Sequence, residues 1–151
     1  MSTTTQSERQ SWMSVLARTD FLHLKKLWEP LNLSPDHQVI RAPETGLVQV
    51  QSRMGSTGNP FNMGDMTVTR SVIKLAEGEM GYSYVKGRNK EHAHLAALID
   101  ALMQTPTYGA ALQRQIIEPL MATMEEHVRA RRQQIATSKV EFFTMVRGED
   151  E

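Results

Sequence analysis

The spacing of apolar residues changes from a helical to a strand-like period near residue 37 and back to a helical one near residue 89. This feature limits the possible folds more than any other. Between these points apolar and polar residues alternate in short runs, which predicts strands, whereas outside them the apolar spacing predicts helices. The connections between the predicted strands are too short for helical crossovers, so neighbouring strands should run antiparallel. The pattern predicts an α+β fold in which an antiparallel four-stranded meander is flanked by an N-terminal helical pair and C-terminal helices.

The chain has 151 residues, which fits one domain spanning 1–151. We expect helices at about 7–31 and 90–137 and a sheet at about 37–86. Ser7 is a candidate cap for the first helix and Asn89 for the third, and Pro119 should kink or break the last helical run. The four predicted strands lie at 38–42, 46–54, 65–75 and 80–86.

The last stretch, VEFFTMVRGEDE at 140–151, loses the helical period and predicts an extended C-terminal arm. Adjacent residues of an extended segment point to opposite faces, so Phe142 and Phe143 cannot both pack on one surface of their own domain. Burying one such aromatic is worth about 1.5–3 kcal/mol. We therefore predict a docking arm for a partner subunit, or alternatively a final strand of the chain's own sheet. The candidate docking residues are Phe142, Phe143, Met145, Val146 and Arg147.

Composition excludes several classes of protein. Lys plus Arg and Asp plus Glu both number 17, so the chain lacks the basic excess of a nucleic-acid-binding domain. It has no cysteine, which rules out a thiol nucleophile and cysteine ligation of an iron–sulfur cluster. No apolar run approaches the roughly 20 residues of a membrane span, and the polar start MSTTTQSERQ lacks a signal core. We expect a cytoplasmic protein with neither membrane nor nucleic acid as a partner.

The loop MGSTGNPFNMG, between the second and third predicted strands, is the most distinctive local feature. Its glycines allow tight turns whose exposed N–H groups can cradle an anion. It is not a Walker A loop, because no Gly-Lys-Ser/Thr follows and no helix begins there. The loop either contacts phosphate or substrate, or serves as a structural or partner-binding loop. Its candidate residues are Arg53, Gly55, Ser56, Thr57, Gly58 and Arg70.

No catalytic or metal-binding constellation can be read from the sequence. His92 and His94 lie two apart on a predicted helix and so point about 200° apart, and the other three histidines stand alone. No nucleophile, base and acid occur in a recognisable arrangement. The helical pair at 7–31 leaves a helix-turn-helix DNA-binding regulator as an alternative, and a stand-alone hydrolase would need a site that is not visible.

Several segments resemble the PhnG family of the bacterial carbon–phosphorus lyase complex. The similar stretches cover both ends and the middle of the chain, and TVTR, YVKGR and FFTMVRG in this order are specific to it. Ser71 stands where many members have cysteine, and Gly55-Ser56 where many have a glycine pair. The longest similar stretches are VIRAPETGLVQVQSRMGSTG, PFNMGDMTVTR, GYSYVKGRNKEHAHLAALIDALMQ and VEFFTMVRG.

The resemblance implies a role in phosphonate catabolism. Together with PhnH, PhnI and PhnL, such a subunit is required to transfer the ribose triphosphate of ATP to a phosphonate such as methylphosphonate. Adenine is released and ribose 1-methylphosphonate 5-triphosphate is formed. PhnJ is a further subunit of the same complex. The resemblance implies a structural partner, inactive alone and binding no cofactor of its own, in a complex that uses ATP with magnesium.

Overall fold

The computed structural model describes the backbone of residues 5–53 and 58–147. Within these ranges the side chains of Arg53, Asn62 and residues 139–147 are not described. None of the described helices combines the length and the apolar character that crossing a bilayer requires. In chain order the elements are α1 (Gln6–Arg18), α2 (Phe21–Trp28), a 3₁₀ turn (Glu29–Leu31), β1 (His37–Arg53), β2 (Pro60–Leu75), β3 (Met80–Lys86), α3 (Lys90–Met103), α4 (Gly109–Leu112), a π-helical turn (Gln113–Ile117) and α5 (Glu118–Arg147).

Short polar side chains begin two of the helices. Asn89 caps α3 as predicted, because its side-chain oxygen accepts a hydrogen bond from the His92 N–H at 3.0 Å. The prediction that Ser7 caps α1 is wrong. Thr5 is the cap, and Glu8 accepts a hydrogen bond from the Thr5 N–H at 3.1 Å, which completes a capping box. The helix therefore begins at the Thr-x-x-Glu capping box of Thr5 and Glu8, and Ser7 lies inside its first turn.

The three strands form an antiparallel sheet in the order β1-β2-β3, so the predicted meander is confirmed. As far as the structure describes them, all four predicted strand segments are extended, but the first two join into the single long strand β1. The join at Pro43 falls in a register irregularity between Arg41 and Glu44, where a proline on an edge strand is tolerated. The Ser71 hydroxyl donates a hydrogen bond to the Arg41 carbonyl at 3.2 Å across this irregularity.

Helix α3 lies across one face of the sheet at close range. A Cβ atom at Gly81 would lie 2.9 Å from the Ala101 Cβ atom, so only glycine permits this approach of helix and strand. The Ser83 hydroxyl donates to the Ala93 carbonyl at 2.6 Å. The core fills the space between this sheet face, α3, the N-terminal helices and the start of α5. Its large, fully buried side chains include Leu16, Leu24, Ile73, Val85, Ile99, Leu102, Leu112, Ile116, Ile117 and Leu120.

The C-terminal half is more helical than expected. The helical run is irregular just before Pro119, where a π-helical turn ends two residues upstream of the proline. Pro119 has no backbone N–H to donate to the preceding turn of a regular helix. The extended C-terminal arm and the alternative of a final strand are wrong for residues 140–147, because α5 continues to Arg147. No glycine or proline interrupts the chain between Pro119 and Gly148, so helix propagation meets no strong breaker.

Candidate functional site

The glycine-rich loop closes the tip of a long hairpin. The pairing of β1 with β2 runs from His37 opposite Leu75 to Arg53 opposite Pro60. Because β3 pairs only with residues 68–74 of β2, the outer part of the hairpin is two-stranded. Arg53 ends β1 at this tip, and Gly58 lies in a half-buried bend beside it. Three other candidate loop residues lie outside the described part of the chain, namely Gly55, Ser56 and Thr57.

Arg70 is not brought to that loop. It lies ten residues along β2 from Pro60, roughly 30 Å away at the usual rise of a strand. In the strand register, Arg70 lies opposite Glu44 of β1 and opposite Tyr84 of β3. The Arg70 guanidinium lies 5.8 Å from the centroid of the Tyr84 ring. The structure thus separates Arg70 from Arg53 and places it on a face of the sheet.

That face is opposite to α3 and carries aromatic and basic side chains. Along β3 the buried Gly81, Ser83 and Val85 alternate with exposed residues, and the register assigns their β2 neighbours to the same two faces. Tyr82 is 43% and Tyr84 44% exposed. We define the outer face by Arg70, Val72 and Lys74 of β2 together with Tyr82, Tyr84 and Lys86 of β3.

An apolar hollow adjoins the two tyrosines at the outer edge of β3, the edge that pairs with no other described strand. Its walls come from α1, β3 and α3, and its lining includes Met13, Ala17, Tyr82, Tyr84 and Ala96. On the α1 side the Arg9 guanidinium lies 5.4 Å from the centroid of the Tyr82 ring. The outer face and the hollow together offer rigid aromatic surface, a small depression and cationic groups.

The most strongly bound carboxylate in the described structure is Asp100, which is completely buried in α3. It accepts hydrogen bonds from the Trp12 indole at 2.8 Å, from Arg9 Nη2 at 2.8 Å and from the Tyr82 backbone N–H at 2.9 Å. The hydrogen bond to Asp100 raises the pKa of Arg9. Both carboxylate oxygens accept hydrogen bonds from α1, and one also accepts from β3, so Asp100 connects these two elements to α3. An acidic residue within the apolar stretch LAALIDALM was the sequence signal for this role.

Two histidines of α3 occupy different environments. His92 is buried, contacts the Leu16 carbonyl through Nε2 at 2.8 Å, and has a lowered pKa because burial disfavours its charged form. His94 lies 5.2 Å from His37 between ring centroids, a pairing that the sequence did not indicate. Burial first, and the nearby His37 second, lower the pKa of His94. Among the residues whose side chains the structure describes, no group of three or more potential ligands could hold a metal ion.

The candidate docking residues at the C-terminus lie on α5. Positions 142, 143, 145, 146 and 147 are helical in backbone, and their side chains are outside the described set. Before them, every residue from 125 to 138 is exposed. This stretch of α5 extends about 21 Å at the rise of an α-helix. Val128 and Ile135, seven residues apart, are 51% and 56% exposed on it.

Comparison with known proteins gives the family. The profile of the family described as phosphonate metabolism protein PhnG matches residues 7–148. The alpha-D-ribose 1-methylphosphonate 5-triphosphate synthase subunit PhnG of Rhizobium meliloti (strain 1021) is 38% identical over 144 residues, which are 95% of this chain and 92% of that protein. The matched range spans the helices, the hairpin and the strands of the outer face. The chain belongs to the PhnG family.

Proposed function

We propose that this chain is a subunit of the complex that forms ribose 1-methylphosphonate 5-triphosphate from ATP and methylphosphonate, with release of adenine. Its partners are subunits of the PhnH, PhnI, PhnJ and PhnL types, and the complex acts in the cytoplasm on ATP with magnesium. The observation that carries the proposal is the 38% identity to a named subunit of that synthase, over 95% of the chain.

Within the complex we assign this chain a structural role rather than the catalytic one. Its completely buried carboxylate, Asp100, is occupied by donors from Arg9, Trp12 and Tyr82. The exposed residues of the outer face and of α5 provide surface for contacts with other subunits. Such surfaces suit a protein whose main work is to hold partners together.

Reconstitution tests this role directly. The PhnH, PhnI and PhnL type subunits are purified with and without this chain, and adenine release from ATP plus methylphosphonate is followed by chromatography. We expect release only when this chain is present, and none from this chain alone. Full activity without it would refute the role, and activity of the isolated chain would refute the structural assignment. Salt-dependent binding of the isolated chain to duplex DNA would instead support the helix-turn-helix alternative.

A further inference from the structure

The charge of the outer face differs from that of the whole chain. The chain has a formal net charge of zero. On the outer face, Arg70, Lys74 and Lys86 are all exposed, and no acid lies among its six residues. On β1, Arg41 lies opposite Val72 and Glu44 opposite Arg70. With these two residues the face has four basic groups and one carboxylate, so a basic patch is present on a protein whose net charge is zero.

The composition of this face is typical of a binding surface. Tyrosine and arginine are enriched at the centres of protein interfaces, because they give large, rigid contact area with a polar handle. Tyr82 and Tyr84 are two residues apart on one strand, so their rings project from the same face. The apolar hollow beside them can receive a side chain from a partner.

The neighbouring edge of β3 is closed to strand addition near its start. The Met80 carbonyl accepts hydrogen bonds from Gln104 Nε2 at 2.8 Å and from Arg9 Nη2 at 3.2 Å, and the Tyr82 N–H donates to Asp100. A partner at this place therefore meets side chains rather than free backbone groups. A partner that binds here would therefore be recognised through the basic side chains and the tyrosine rings of the outer face.

We propose, resting on the proposed function, that the outer face docks a carboxylate-rich surface of another subunit of the complex. Tyr84 and Tyr82 anchor the contact, and Arg70, Lys74 and Lys86 pair with the acidic groups. Together with the adjoining residues of β1, the outer face measures on the order of 20 Å by 14 Å from strand rise and strand spacing. Such an open, flat area suits a protein partner better than a small ligand, which favours concave sites.

Co-expression of the full chain with the PhnH, PhnI and PhnJ type subunits, purified through a tag on the PhnI type subunit, tests the proposal. The double variant Arg70→Glu/Lys86→Glu should lower the amount of this chain in the complex at least tenfold. Lys26→Glu, a single charge reversal at an exposed residue of α2 away from the outer face, serves as the control and should assemble as the unchanged chain does. Tyr84→Phe should also assemble, because it keeps the ring. The circular dichroism and Tm of each isolated variant establish that it is folded.

Two outcomes separate this inference from the proposed function. Failure of the unchanged chain to join the complex would overturn the proposed function and this inference with it. Normal incorporation of the folded double variant would overturn the inference alone. Saturable binding of ATP or single-stranded RNA to the isolated chain, lost in the double variant while assembly persists, would also overturn it by assigning the face to a nucleotide or nucleic acid.

Discussion

Arg9 and Asp100 are 91 residues apart in sequence and form a two-pronged ion pair. Arg9 Nη2 lies 2.8 Å from one carboxylate oxygen, and Arg9 Nε lies 3.3 Å from the other. The Asp100 side chain has no exposed surface, whereas that of Arg9 is 31% exposed. The pair is therefore asymmetric: water can solvate the guanidinium if its partner is removed, but it cannot reach the carboxylate.

This asymmetry predicts different costs for the two partners. Asp100→Asn should lower the free energy of unfolding by about 2–4 kcal/mol, because its amide group would face donors from Arg9 or the Tyr82 N–H. Arg9→Gln should cost about 1–3 kcal/mol, since Trp12 and Tyr82 still donate to the carboxylate. Urea unfolding of both variants measures the difference. An equal loss of unfolding free energy in the two variants, or a larger loss in Arg9→Gln, would contradict the asymmetry of the ion pair.

The close approach of α3 to β3 predicts a second stability effect. Gly81→Ala would place its Cβ against the backbone of α3 at Ala101 and should destabilise the protein by about 3 kcal/mol or more. Gly46→Ala is a matched control, because its Cβ would have only the Arg70 guanidinium nearby, at 3.9 Å. Thermal unfolding of the two variants should show a large fall in Tm for the first alone. Similar values for both would show that the helix can shift without cost.

Stability should depend on pH through His92. Its pKa is lowered in the folded protein by burial, so protonation favours the unfolded chain. The contribution of neutral His92 is complete above the ordinary histidine value of about 6.5 and is lost as the pH falls below it. The Tm should therefore fall between about pH 7 and pH 5.

The matched variants for this prediction are His92→Gln and His127→Gln. Glutamine at 92 cannot titrate, so part of the pH dependence should disappear, although the protein will be less stable overall. His127 is exposed on α5, and its replacement should leave the dependence unchanged. A pH profile that is the same in all three proteins would exclude His92 as its source.

The hairpin loop gives a prediction about activity. If the loop approaches nucleotide or phosphonate in the complex, Arg53→Ala and Thr57→Ala should each lower adenine release by about tenfold, the effect of roughly 1.4 kcal/mol. The complex should remain assembled by size-exclusion chromatography. Unchanged kinetics in both variants would assign the loop a structural or partner-binding role.

The C-terminal part of α5 gives a prediction about assembly. Deletion of residues 140–151 should leave a folded protein, because among the side chains that the structure describes the buried core reaches no further along the chain than Leu120. If Phe142, Phe143, Met145, Val146 and Arg147 contact another subunit from this helix, their loss should prevent that contact. Circular dichroism and co-purification measure the two effects separately. An unfolded deletion variant would show that this segment stabilises its own domain instead.

Local patterns were sufficient for the order of the elements. The alternation along β3 and the short connections predict the antiparallel meander, and Asn89 predicts the start of α3, because each signal depends on neighbouring residues. The extended C-terminal arm is a wrong prediction, because the loss of the helical period after residue 140 does not stop the helix, which continues to Arg147. In the helix that forms, neighbouring positions lie about 100° apart, so the opposing-face argument for a docking arm does not apply.

The sequence by itself determined the family, the class of fold and the positions of most helices and strands, since these follow from local spacing and from motifs read in order. The tertiary structure decided which distant residues meet. Arg9 contacts Asp100 and His37 lies against His94, although both pairs are distant in sequence. Arg70 lies beside Tyr84 and far from the loop. These relations depend on strand register and on helix packing, and neither is specified by the spacing of residues along one segment.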